Sequence, residues 1–166
     1  MRIPVVNEQD EIIGYKERND KNPVDIIRAS GLWITSPDGY TLLAQRSFKK
    51  KHGPGMWGPA VAGTVEEGET YESNIIKEAE EEIGLVDFVP VLGPKNRVRH
   101  LGDSYGNFFG QWFTTVVDRS YEFKKQEEEV EEIRWFSKDE LNEFIKENPK
   151  DLLGDLEEFI KMFSEQ

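Results

Sequence analysis

The chain has 166 residues, contains no cysteine and carries a formal net charge of -12 at pH 7. Its length allows one well-buried core, so we expect residues 1–166 to form a single domain. The net charge disfavours binding to nucleic acid polymers and anionic membranes. The absence of cysteine excludes disulfides, thiolate metal sites and cysteine nucleophiles. Two histidines, His52 and His100, are too few for a multi-histidine metal centre, and we assign them no role.

The N-terminal segment predicts a small hairpin and shows no sign of export. Apolar runs at 3–6 and 11–15 flank the sequence Asn-Glu-Gln-Asp, which indicates a hairpin or paired edge strands. Residues 1–11 lack the apolar run of a signal peptide, and no stretch reaches the roughly 18 apolar residues of a membrane span. We therefore expect a cytoplasmic protein that does not bind a membrane.

A second hairpin and a basic loop are predicted next. The β-prone runs 24–36 and 40–47 flank the turn sequence Pro-Asp-Gly at 37–39, which favours a hairpin. The loop 48–59 is basic and rich in glycine and proline. It leads to a short strand that we expect around residues 60–62.

Residues 70–83 predict an unusually acidic helix, because their apolar residues recur near helical spacing and a glycine follows. On this helix Glu78, Glu81 and Glu82 project from one face, and each like-charge pair costs roughly 0.2–0.5 kcal/mol. One lysine, Lys77, cannot neutralise them. Because Mg²⁺ binds clustered carboxylates and bridges them to substrate phosphates, the face indicates a metal site. A solvated acidic surface is the alternative, and composition alone favours it.

The second half of the chain predicts further strands and two C-terminal helices. Rich content of aromatic and β-branched residues favours strands at 88–92, 96–101, 107–117 and 131–137. A helix over 138–148 follows, with Ser137 as its N-cap. A last amphipathic helix carries an apolar stripe made of Leu152, Leu156, Phe159, Ile160 and Phe163. The stripe indicates core cover more strongly than a partner interface, and a homodimer through this helix is left open.

The stretch from Gly63 to Leu85 resembles the Nudix box. That motif is a glycine, a glutamate after five further residues and, after seven more, the run Arg-Glu-apolar-any-Glu-Glu-any-Gly-apolar. Gly63, Glu69 and the run 77–85 reproduce it, with Lys77 in place of arginine as the single departure. The resemblance covers roughly residues 28 to 147. It implies the family's α/β fold, an α/β/α sandwich around a mixed β-sheet, which agrees with the predicted order of elements.

The resemblance implies a hydrolase that uses Mg²⁺ or Mn²⁺ to cleave a diphosphate linkage in a nucleoside di- or triphosphate or a related nucleotide derivative. By position in the motif, Glu78 and Glu82 correspond to the principal metal ligands. Glu81 corresponds to a further ligand or to the base for the attacking water, and Gly63 to a backbone ligand. The metals would neutralise diphosphate charge and lower the pKa of a bound water.

Two further motif residues are implied to support this centre. Glu69 corresponds to the glutamate that braces the loop against the helix, and residue 77 to its cationic partner. Because Lys77 offers a point charge where arginine offers a planar fork, we expect reduced rather than abolished activity. The family often has one more metal-binding glutamate outside the box, and the acidic run 126–132 offers several candidates that the sequence does not rank.

Substrate contacts are expected from residues upstream of the box. Arg46 ends a strand that faces the box loop in this family and is a candidate phosphate contact. The lysines at 49–51 fit that role or a solvated basic loop equally well. Trp57 and Trp112 are candidates for stacking on a base, although a large aromatic residue lies more often in the core.

Within the superfamily, the segment up to Trp57 is most similar to the branch of isopentenyl-diphosphate isomerases and their bacterial hydrolase relatives. Such an isomerase requires a cysteine and a metal-binding histidine at positions that Ala62 and Thr64 occupy here. We therefore reject isomerase chemistry. A module that senses a nucleotide without cleaving it is the other alternative, which the intact glutamates disfavour and Lys77 leaves open. The segments 48–59 and 102–110 do not identify the substrate.

Overall fold

The computed structural model describes residues 1–100, 106–154 and 156–164, without the side chain of His100. The last residue of the expected strand 96–101 and the first four residues of the segment 102–110 therefore lie outside the described residues. In the described ranges no helix combines the length and the apolar character needed to cross a membrane.

The N-terminal hairpin is confirmed. Strands β1 (Arg2–Val6) and β2 (Ile12–Glu17) pair antiparallel as a two-stranded sheet, and a short 3₁₀ turn, Arg18–Asp20, follows. Most of β1 is buried, and the Val6 amide donates to the Ile26 carbonyl oxygen at 2.9 Å. The hairpin is thus attached to the start of the next strand.

The larger sheet is mixed. Within the described residues its strands are β3 (Ile27–Thr35), β4 (Thr41–Arg46), β5 (Trp57–Pro59), β6 (Val61–Thr64), β7 (Val91–His100), β8 (Gly106–Val116) and β9 (Val130–Phe136). The order is β5-β4-β3-β8-β7, with β6 paired to β3 and β9 paired to β4. Strands β3 and β8 run parallel, and the other pairs are antiparallel. The predicted second hairpin, β3 with β4, is confirmed.

Two strand predictions need correction. Residues 91–92 and 96–100 of the two expected strands 88–92 and 96–101 belong to one strand, β7, whereas residues 88–90 precede it. The pairing register of β7 shifts between Leu92 and Lys95, where Gly93 and Pro94 lie. The single strand expected around residues 60–62 is instead the pair β5 and β6, which flank Ala60 and pair with different neighbours.

Within the described ranges, three α-helices cover the two faces of the sheet. They are α1 (Tyr71–Ile83), α2 (Lys138–Glu147) and α3 (Leu156–Ser164). Along β3 the side chains alternate between faces: Leu32 joins the core beneath α1, whereas Trp33 joins the core beneath α2 and α3. This arrangement confirms the α/β/α sandwich.

The apolar stripe of the C-terminal region is core cover, as predicted. Leu156 and Ile160 are buried, Phe159 packs on Trp112 with ring centroids 4.3 Å apart, and Phe163 stacks on Trp33 at 4.9 Å. Leu152 belongs to the same core but precedes α3.

Candidate functional site

The box helix α1 begins and ends as its sequence predicts. Thr70 is its N-cap, and Thr70 and Ser73 exchange hydrogen bonds between side chain and backbone in a capping box. Gly84 ends it with a left-handed backbone, φ 67°, which glycine adopts at little cost. Glu78, Glu81 and Glu82 therefore lie in its last two turns.

Segment 121–126 docks against the end of α1. The Gln126 amide donates to the Glu82 carbonyl oxygen at 2.8 Å, and the Lys124 amide donates to the Ile83 carbonyl oxygen at 2.9 Å. The Tyr121 hydroxyl donates to the Gly84 carbonyl oxygen at 2.8 Å. These contacts bring the acidic run 126–132 next to Glu82.

Glu69 holds the loop that precedes α1. Its carboxylate accepts hydrogen bonds from the Glu66 amide at 2.9 Å and from the Asn74 side chain at 2.9 Å, and it pairs with Lys77 at 2.5 Å. Burial opposes ionisation of Glu69, but these donors outweigh it, and the pKa of Glu69 lies below its usual value. This geometry fits the bracing role that the resemblance implies for Glu69 and Lys77.

Asn74 is a positioning residue that the sequence reasoning missed. It is fully buried, its amide also donates to the Thr64 carbonyl oxygen at 3.0 Å, and its carbonyl oxygen accepts from the Ser30 hydroxyl. Asn74 thereby ties the loop, α1 and β3 together. A polar residue immediately before the apolar pair 75–76 was the signal that could have identified it.

Gly63 makes room for Glu78. A Cβ atom at Gly63 would lie 2.5 Å from the Cγ of Glu78 and 2.7 Å from its Cδ, closer than real side-chain contacts allow. The backbone of β6 and the Glu78 side chain therefore approach each other to a distance that requires glycine. This close approach fits the implied role of Gly63 as a backbone ligand beside a carboxylate ligand.

Glu78 and Glu82 lie close together, and nearby lysines compensate their charge only in part. Burial raises the pKa of Glu82 well above its usual value, and the charges of Glu78 and Glu129 raise it further. Burial also raises the pKa of Glu78, with Lys77 offsetting part of the effect and Glu81 adding to it. Glu129 thus becomes the leading candidate, within the run 126–132, for the ligand outside the box.

These carboxylates face one groove of about 440 Å³. Its acidic lining consists of Glu66, Glu78, Glu81, Glu82 and Glu129, and the backbone of Gly63 is part of the wall. Hard oxygen donors of this type fit Mg²⁺ or Mn²⁺. No three acidic or histidine side chains in the described part of the chain enclose a cation on their own. An open groove still fits a cation that keeps several waters and shares substrate phosphates.

A second cavity, of about 250 Å³ and mainly apolar, adjoins the groove. Phe108, Trp112 and Phe159 are among its lining residues, and Arg46 and Ala62 line both spaces. Asn96 also lines the cavity, and its buried side-chain oxygen has no hydrogen-bond partner among the described residues. The cavity therefore offers aromatic surface and an unpaired amide oxygen beside the acidic groove.

The basic residues predicted to contact phosphate differ in their position relative to the groove and in whether they are already paired. Arg46 lies at the junction of groove and cavity, where its Nε donates to the His52 carbonyl oxygen at 2.9 Å. Lys50 lines the groove but is paired with Glu129. Lys49 pairs with Glu128 at 2.7 Å. Arg46 is thus the best placed of the predicted phosphate contacts.

Trp57 lies in the core and does not line the cavity in which a base could stack. Its ring is 6% exposed and packs edge-on against Phe136 and Phe144, beneath α2. The core position agrees with the common alternative for a large aromatic residue, and we do not retain Trp57 as a substrate contact. Trp112 is also in this core, but it lines the apolar cavity.

Comparison with known proteins agrees with this fold. Residues 26–160 match the family model of the NUDIX domain. Among curated proteins, the isopentenyl-diphosphate Delta-isomerase of Salmonella heidelberg (strain SL476) is 32% identical over 93 residues, which are 54% of this chain and 51% of the relative. The chain therefore spans about half the length of the curated relatives it matches.

Two solved structures share the fold. DR0079 from Deinococcus radiodurans aligns with a TM-score of 0.76 at 22% identity, over 97% of this chain and 98% of the other. The MutT NUDIX hydrolase from Burkholderia pseudomallei aligns with a TM-score of 0.66 at 22% identity, over 82% of this chain and 96% of the other.

Proposed function

Because the chain belongs to the NUDIX domain family, we propose that it is a Mg²⁺- or Mn²⁺-dependent hydrolase that cleaves a diphosphate linkage in a small nucleotide derivative. A nucleoside di- or triphosphate is the simplest such substrate. The observation that carries the proposal is the pair Glu78 and Glu82, which faces the groove with raised pKa values and whose charge nearby lysines compensate only in part. Partly buried carboxylates with too little cationic charge beside them are unfavourable unless a cation joins them.

The residues of this site would have distinct roles in metal binding, proton transfer and positioning of the loop. Glu78, Glu82 and Glu129 would hold the cation, with the Gly63 carbonyl oxygen beside them. The cation supplies charge neutralisation on the diphosphate and a more acidic bound water. Glu81, which is exposed and lines the groove, would act as a further ligand or accept the proton of the attacking water. Glu69 and Lys77 hold the loop that presents Gly63.

The junction of groove and cavity supports a substrate with two unlike parts. The diphosphate would lie in the groove, and a flat, less polar group such as a nucleobase would lie in the apolar cavity. There Trp112 and Phe108 offer ring surface, and the amide of Asn96 offers a hydrogen bond. Dimerisation through α3 and a cytoplasmic location stay predictions from the sequence.

Isomerase chemistry is the least favoured alternative, although the curated relative carries that name. Ala62 disfavours it: its methyl group lies at the junction of groove and cavity, where a proton-transferring thiol would be needed. A nucleotide sensor is the remaining alternative, and the complete set of box glutamates disfavours it.

The test is release of phosphate or nucleoside monophosphate from a panel of nucleotides and nucleotide derivatives, with isopentenyl diphosphate included, in Mg²⁺ and in Mn²⁺. We expect turnover of at least one nucleotide and a loss of about 10²–10³-fold in kcat for Glu82→Gln. Glu80→Gln is the matched control, since Glu80 is exposed on the same helix and does not line the groove. Equal rates for wild type and Glu82→Gln would refute the assignment. Binding of a nucleotide without turnover would favour the sensor.

A further inference from the structure

Arg18 stands outside the segment that matches the family model, yet it borders the site. It is the first residue of the 3₁₀ turn after β2, and the matched segment begins at residue 26. Arg18 lines both the acidic groove and the apolar cavity. Of the basic side chains described, only Arg18 and Arg46 line both spaces.

The guanidinium of Arg18 has no partner among the described residues, unlike the basic side chains of its neighbours in the hairpin. Arg2 pairs with Glu67 at 3.3 Å, and Lys16 pairs with Asp25 at 2.7 Å. Among the described residues, Arg18 forms no side-chain hydrogen bond or ion pair, although the chain carries 33 acidic residues against 21 basic ones. This unpaired guanidinium lies at the edge of the carboxylate-lined groove. It can therefore bind an anionic ligand that enters the groove together with a metal cation.

The backbone that carries Arg18 is held in place. The Arg18 amide donates to the Met1 carbonyl oxygen at 2.9 Å, which ties it to the start of β1. The Glu67 amide donates to the Arg2 carbonyl oxygen at 2.9 Å, which ties β1 to the box loop. The attachment point of Arg18 is thus fixed relative to Gly63 and Glu69, while its side chain remains exposed.

We propose that Arg18 is a substrate-binding residue that, together with Arg46, grips the diphosphate at the junction of groove and cavity. The proposal rests on the proposed function for the presence of a diphosphate. An arginine fork fits two phosphate oxygens at once, and charge-assisted pairs of this kind are among the stronger hydrogen bonds. The N-terminal hairpin is then part of the active site and a source of substrate affinity.

Two measurements test this, on wild type, Arg18→Ala, Arg18→Lys and Lys21→Ala. Lys21 is the matched control, because it is a cation three residues away that lines neither space. The first measurement is the affinity for imidodiphosphate, a non-hydrolysable diphosphate, by calorimetry in Mg²⁺. The second is the separation of kcat and KM for the best nucleotide of the panel.

For Arg18→Ala we expect about ten-fold weaker imidodiphosphate binding and about ten-fold higher KM, with kcat within about two-fold. Arg18→Lys should recover part of the affinity, and Lys21→Ala should match wild type. The unfolding midpoint should not change, because the Arg18 side chain makes no contact that folding needs.

The outcomes separate the two proposals. If Arg18→Ala binds imidodiphosphate as Lys21→Ala does, the role of Arg18 is refuted, whether or not nucleotides are hydrolysed. If wild type binds imidodiphosphate through Arg18 but cleaves no nucleotide, the hydrolase proposal fails and the role of Arg18 stands. If wild type neither binds imidodiphosphate nor cleaves a nucleotide, both are overturned.

Discussion

Two partly buried carboxylate clusters in this chain behave in opposite ways. Asp10, at the turn of the N-terminal hairpin, has a side chain 10% exposed, and the Glu78 side chain in the box is 17% exposed. Burial raises the pKa in both places, but the pKa of Asp10 ends below its usual value and the pKa values of Glu78 and Glu82 end above theirs. Asp10 and Glu78 have similarly exposed side chains, so the difference between these two carboxylates lies mainly in their partners.

Asp10 is surrounded by donors. It accepts hydrogen bonds from the Arg28 side chain at 2.7 Å, from the Tyr71 hydroxyl at 2.9 Å and from Lys95. Arg28 and Lys95 also lie over the Tyr71 ring, at 5.3 and 5.0 Å from its centroid. In this cluster the negative charge of Asp10 is balanced by the cations Arg28 and Lys95. Their contacts attach the hairpin to the sheet.

The pair Glu78 and Glu82 lacks such donors. The Lys77 ammonium group lies 3.8 Å from Glu78, but its closest ion pair is with Glu69, at 2.5 Å. Lys50 is paired with Glu129. A structural carboxylate is therefore recognised by its donors and a candidate metal-binding carboxylate by their shortage. Four substitutions test this difference.

Gly63→Ala should displace Glu78 and separate it from Glu82. Because the new Cβ would lie 2.5 Å from the Glu78 Cγ, we expect kcat to fall about ten-fold to a hundred-fold, as a shift of roughly 1 Å in a catalytic group does. The measurement is steady-state hydrolysis at saturating Mg²⁺. Gly14→Ala is the control, since nothing lies within 4 Å of a Cβ there. A rate for Gly63→Ala equal to that of Gly14→Ala would show that the close approach does not matter.

Asp10→Asn should destabilise the fold by about 1–3 kcal/mol, because it leaves Arg28 and Lys95 without their shared anion. The lowered pKa of Asp10 means that its stabilisation is present above the unfolded pKa, about 3.9, and is lost as pH falls through the lower folded value. Urea unfolding at pH 7 and at pH 3 measures both effects, and the gap between wild type and variant should narrow at pH 3. Asp20→Asn, an exposed turn substitution, should be neutral. An Asp10→Asn protein as stable as Asp20→Asn would contradict the role of the cluster.

Glu82→Gln should have the opposite effect on stability. A carboxyl group whose pKa is raised on folding destabilises the folded state at neutral pH. Replacing Glu82 by glutamine in the presence of EDTA removes this cost, so the unfolding midpoint should rise by roughly 2–4 °C. Added Mg²⁺ should stabilise wild type more than the variant. Thermal unfolding with and without metal provides the measurement. A variant less stable than wild type in EDTA would mean that Glu82 already has a partner that compensates its charge.

Lys77→Arg should change kcat by less than about three-fold, and upward if at all, because a planar fork can serve Glu69 and a neighbouring carboxylate together. Lys77→Met, which keeps the chain length without the charge, should lose more activity. A large loss for Lys77→Arg would show that the space around Glu69 fits only the slimmer ammonium group.

The sequence predicted the parts of the site that follow a local rule. The stop at Gly84 and the shared face of Glu78, Glu81 and Glu82 follow from helical spacing and from the tendency of glycine to end helices, and the α/β/α fold follows from the resemblance. The core position of the apolar stripe was also predicted, since helical amphipathicity is a local property.

What the sequence did not predict depends on contacts between distant segments. Asn74 is hydrogen-bonded to Ser30, which is 44 residues away in the chain. Glu129 is distinguished from its acidic neighbours only by its position close to Glu82. Trp57 is the opposite case, because it was a candidate for stacking on a base but lies in the core. An aromatic residue next to a glycine-rich loop carries no sign of which face of the sheet it enters. The place of Arg18 depends on how the hairpin lies against the box loop, which no local pattern encodes.

The docking of segment 121–126 on the end of α1 has a mechanical consequence. Helix ends usually fray, and acidic side chains near a C-terminus are disfavoured by the helix dipole. Here the Gln126 and Lys124 amides and the Tyr121 hydroxyl secure the last carbonyl groups without adding a cation beside the glutamates. A backbone cleavage within this segment would therefore loosen the end of α1 that carries the candidate metal ligands, while leaving every carboxylate of the box intact.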